Sequence, residues 1–120
     1  RPALFDRLPE ESLIPESILF FRQALSIQDR VWLGGENLLG LSEETEGVLG
    51  RYEIRGSTAE LMIIRYPNAQ VAAAKLEALR GSELSNLVVA DARSELLAAA
   101  FGDIDRNAIV AQVGLALGKR

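Results

Sequence analysis

The chain has 120 residues, 48% apolar and 25% charged, with 13 Lys and Arg against 17 Asp and Glu for a formal charge of −4. That composition describes one folded, soluble domain, and cations scattered singly under a net negative charge exclude nucleic acid and anionic membrane surfaces as expected partners. The absence of cysteine and histidine rules out disulfides, structural zinc, thiol nucleophiles and every Ser-His or Cys-His arrangement, leaving only carboxylates, lysine, tyrosine and hydroxyls for proton transfer.

No cofactor is implied. The longest apolar runs, LMII and LLAAAF, fall far short of the roughly 18 residues of a membrane span. The opening RPALFDRLPEES lacks the basic, apolar, small-residue order of a signal peptide, so the chain reads as a mature form or as a piece of a longer one.

Taken in chain order, residues 1–16 carry Pro2, Pro9 and Pro15 and predict an extended arm laid on the domain, with the sheet and helices in 17–120. SILFFR, Ser17 to Arg22, is aliphatic and aromatic enough for a strand. DRVWLGG reads as a second short strand or a turn of helix, since its period does not decide. Trp32 beside Gly34 and Gly35 is expected as a core plug.

The stretch ENLLGLSEETEGVLGRY groups Glu43, Glu44 and Glu46 with Ser42 and Thr45. Adjacent glutamates point apart, so a cation site is disfavoured against a solvated turn in which Ser42 caps a short helical segment. Gly34, Gly35 and Gly40 lack the spacing and the lysine of a phosphate loop and read as turn chemistry.

EGVLGRYEI alternates with period two, Val48, Tyr52 and Ile54 on one face and Leu49, Arg51 and Glu53 on the other, a strand covered on one side. RGS, Arg55 to Ser57, turns it into TAELMIIRY as an antiparallel hairpin. Pro67 and Asn68 then open a helix over NAQVAAAKLEALR, with Pro67 in its first turn, Asn68 as cap, Ala72, Leu76 and Leu79 on one stripe, and Gly81 as the stop.

NLVVAD and SELLAAAFG form a second hairpin turning at Asp91, Ala92 and Arg93, the latter either a central strand covered on both faces or a strand with small residues under a helix. DIDRNAIVAQVGLALGKR is helical, capped near Asp103 or Asp105, with Ile109, Val113 and Leu117 on one stripe and Lys119 and Arg120 at the negative end of the dipole. DIDRNA opens like a calcium loop, but Ala108 stands where glycine is required and Gly114 where a bidentate glutamate is, so capping is the better reading.

Strand, strand, helix, strand, strand, helix after an extended arm gives an α+β fold, an antiparallel sheet with both helices packed on one face. Leu61 and Ile63 alternate with Met62 and Ile64, so the other face is apolar too, and the arm or a partner subunit is expected to cover it. Arg51, Glu53 and Arg65 are the polar residues of the best hairpin. With Tyr52 and Tyr66 at the rim they form a candidate site for a small anionic ligand, against the commoner cross-strand ion pairs.

In LPEESLIPESILFF, ENLLGLSEETEGVLGRY and LMIIRYPNAQVA the chain resembles a family of bacterial proteins of unknown function, extracytoplasmic and built of two related halves. Leu-Pro followed by Pro-x-Ser, a Glu and Tyr on one strand, and Tyr-Pro ahead of an Ala-rich helix are similar to the C-terminal half, over residues 8–79. The resemblance implies a fold and a periplasmic or secreted setting, and it carries over no catalytic residue.

The leading expectation is therefore a non-enzymatic α+β interaction or structural module that assembles with another domain of the same protein or with a second copy. A binding domain for a small anion at Arg51, Arg65 and the tyrosines is the second reading. A carboxylate enzyme using Glu46 or Glu53 is the third.

Overall fold

The computed structural model describes residues 3–23, 27, 29–33 and 37–118. Gly34, Gly35, Lys119 and Arg120 lie outside the described residues, as does Pro2. Five antiparallel strands run β1 (Leu13–Phe21), β2 (Glu46–Ile54), β3 (Ser57–Arg65), β4 (Leu87–Arg93) and β5 (Leu96–Gly102), with helices α1 (Ala69–Arg80) and α2 (Arg106–Ala116) in the expected order. The sheet order is β1-β2-β3-β5-β4. The fold is α+β, with both helices packed against the sheet.

Three of the expected boundaries move. A short 3-10 helix, Ala3–Arg7, occupies part of the predicted arm, and β1 begins at Leu13 rather than Ser17. Pro15 is tolerated inside this strand because β1 is at the edge and its register with β2 shifts between Ile14 and Leu19, so no ladder amide is lost there. The second hairpin turns at Ser94 and Glu95, with Asp91, Ala92 and Arg93 still paired to β5, and Ser94 takes the positive φ of +54° that the turn requires. DRVWL is neither strand nor helix over its described residues.

The first hairpin is built as its sequence predicts. Arg55 and Gly56 both take positive φ, +52° and +83°, the mirror-image turn whose twist matches the strands it joins. α1 is capped by Asn68, whose side chain accepts from the Val71 amide. Pro67 lies ahead of the cap rather than inside the first turn. Gly81 ends α1 in right-handed geometry, φ −79°, and not in the left-handed form that glycine usually supplies. α2 is capped by Asp105, which accepts from the Asn107 amide at 3.0 Å.

The main correction concerns the two faces of the sheet. Leu61 and Ile63 of β3 pair with Ala100 and Ala98 of β5, and Met62 and Ile64 pair with Ala99 and Leu97. The first set packs with Ile109, Val113 and Ala116 of α2, and with Leu4 and Leu8 of the N-terminal segment. The second packs with Ala72, Leu76 and Leu79 of α1, and with Ile27, Val31, Leu33, Leu39 and Leu41 of the connection between β1 and β2. The helices therefore lie on opposite faces, not on one.

The physical reason is the continuous apolar run in β3 and β5. A strand of period two with no polar face must be dry on both sides, and each large aliphatic side chain left wet would forgo about 1.5–3 kcal/mol. Two helices on one face would strand Met62, Ile64 and Leu97. The same logic corrects β2: Val48 and Leu49 are both fully buried, each in a different core, so only its second half is covered on one side. Because β3 and β4 both run antiparallel to β5, they are parallel to each other, and α1 is the crossover between them.

Candidate functional site

The densest polar constellation is centred on Glu60, which stands in β3 with the carboxylate on the α1 face. Arg30 approaches it from the connection after β1, its Nε donating to Oε1 at 3.1 Å and its Nη2 to Oε2 at 2.8 Å. Arg51, directly across on β2, donates Nε to Oε1 at 2.9 Å. The third donor of Arg30, Nη1, reaches the Ser17 carbonyl of β1 at 2.5 Å.

Ser17 completes the cluster. Its hydroxyl accepts the Arg51 backbone amide at 2.7 Å and donates to the Ile14 carbonyl at 2.6 Å, replacing the ladder bonds lost at the register shift. A bidentate pair plus a second guanidinium satisfies a carboxylate that is only 9% exposed, so removing one partner would leave a charge stranded. The sequence holds a signal for Glu60, a lone carboxylate inside AELMII, but nothing in it announces Arg30, which arrives from 30 residues away.

The five residues predicted for a ligand site are not brought together. Arg51 joins Glu60, while Arg65 pairs with Glu46 at the far end of the hairpin at 3.6 Å, where Arg22 also approaches Glu46 at 3.8 Å. Glu53 is exposed. Tyr52 and Tyr66 are in the two cores on opposite faces, not at a rim. Each phenol is anchored to a covering segment, Tyr52 donating to the Pro9 carbonyl at 2.5 Å and Tyr66 to the Leu39 carbonyl at 2.6 Å. Burial pushes both phenols well above their ordinary range.

The glutamate-rich stretch is a turn without a helical segment. Ser42 Oγ accepts the Glu44 amide at 3.1 Å, buried Thr45 accepts the Ser42 amide at 2.9 Å, and Arg22 Nη1 donates to the Glu43 carbonyl at 2.7 Å. Among the described residues no group of acidic side chains is placed to hold a metal ion. Trp32 is not a core plug: it is 57% exposed between Val31 and Leu33, which are buried, because the extended segment sends alternate side chains inward and outward.

The two edges of the sheet are finished differently. Two-residue hairpins set the parity of the ladder, so Ala90 and Ala92 of β4 turn their backbone groups outward. Arg80 Nη2 of α1 donates to the Ala90 carbonyl at 2.9 Å, the Asp91 carboxylate accepts the Ala92 amide at 2.8 Å, and Arg80 and Asp91 approach each other at 3.8 Å. That edge is partly blunted by side chains.

On β1 the same parity directs Leu19 and Phe21 to β2, opposite Leu49 and Gly47, and turns the N–H and C=O of Ile18 and Phe20 outward. No described residue caps these groups. Beside them runs a groove of about 490 Å³ lined by Phe5, Leu8, Leu13, Pro15 and Ile18, with Asp6 and Glu10 at its margin. Compared with protein-family models, with curated proteins and with solved structures, the chain matches none.

Proposed function

We propose that this domain is a non-enzymatic interaction module that joins another polypeptide, a second domain of the same protein or a second copy, through the open edge of β1. The observation that carries this reading is the contrast between the edges. Two of the outward backbone groups on β4, the Ala90 carbonyl and the Ala92 amide, are engaged by Arg80 and Asp91, whereas none of those of Ile18 and Phe20 on β1 is engaged by a described residue, and they are presented beside a groove with apolar walls, the arrangement that strand addition uses. The original reason for expecting a partner, an uncovered sheet face, does not hold, since each face is covered by a helix and a loop. An edge takes its place.

A periplasmic or secreted setting, as one half of a duplicated protein, is the corresponding proposal for context, and it rests on the resemblance in residues 8–79. A second reading has one observation in its favour. Arg51 uses only Nε on Glu60, and its side chain is 45% exposed, leaving the outer fork directed at solvent beside Arg30, a place for a carboxylate or phosphate.

Amide chemical-shift mapping separates the two readings. The domain is titrated with extended peptides, with anionic metabolites and with divalent cations. The module reading expects perturbations centred on Ile18 and Phe20. Perturbation confined to Arg30 and Arg51 by a small anion, with the roughly 2.7 kcal/mol of stabilisation expected at a hundred times its dissociation constant, would replace it.

A further inference from the structure

We draw no further inference here: the strongest candidate, the outer face of α2, where Val110, Ala111 and Leu115 are exposed and no charged residue stands between Asn107 and Ala116, carries nothing because nothing in the structure shows what covers it.

Discussion

Replacing Glu60 by glutamine tests whether the Arg30–Glu60–Arg51 cluster holds the fold together or waits for a ligand. Breaking a fully buried ion pair costs about 3–5 kcal/mol, because the remaining charge stays desolvated. Here the Glu60 side chain is 11% exposed, Arg30 19% and Arg51 45%, and glutamine keeps one acceptor for Arg30, so the expected loss is about 2 kcal/mol. For a chain of this length that corresponds to a fall in Tm of roughly 8 °C.

Urea unfolding followed by circular dichroism measures the loss, and a double-mutant cycle apportions it. Coupling of Glu60 to Arg30, tested with Arg30→Met, should be about 1–2 kcal/mol. Coupling to the half-exposed Arg51 should fall below about 1 kcal/mol. A Glu60→Gln protein within about 0.5 kcal/mol of wild type, or a stronger coupling to Arg51 than to Arg30, would refute the structural assignment. Joined to stabilisation by a small anion, that result would transfer the cluster to ligand binding.

Three further outcomes are expected. Both tyrosines are neutral and buried, with folded-state values raised above the ordinary 10.0; the stability this confers is complete below pH 10 and is lost as pH rises above it. The decline should be about 2.7 kcal/mol per pH unit for the two phenols together, and ultraviolet titration should show both ionising only with unfolding; early ionisation of either contradicts its burial. Gly47→Ala should cost about 1–3 kcal/mol in denaturant melts, because a Cβ there would collide with the buried Phe21 ring on the paired strand, an overpacking cost that a neutral result would disprove. Trp32 fluorescence should be readily quenched by acrylamide, as its 57% exposure requires, and Trp32→Ala should change stability by less than about 0.5 kcal/mol; a shielded Trp32 would count against its exposure.

Local chemistry was legible wherever one residue controls its own neighbourhood. Arg55-Gly56-Ser57 marks the first turn by its glycine, Asn68 and one of Asp103 and Asp105 mark the caps of the helices that follow them, and the period-two and helical stripes place β2, β3, α1 and α2. The antiparallel α+β order is readable from those alone. The candidate site was much less so. Of the five residues singled out, only Arg51 joins the central cluster, because Arg65 is five residues farther along the strand than Glu60 and Tyr52 and Tyr66 are needed as anchors for Pro9 and Leu39.

By itself, then, the sequence determined that the chain forms two hairpins and two capped helices with no thiol or imidazole chemistry, since propensity, capping and turn geometry act within a few residues. Only the tertiary structure decided that the helices take opposite faces, that Arg30 closes on Glu60, that Trp32 points to solvent, and which edge carries side-chain partners for its backbone groups. Those outcomes depend on which distant segments meet, and one strand's periodicity carries no information about what will cover it.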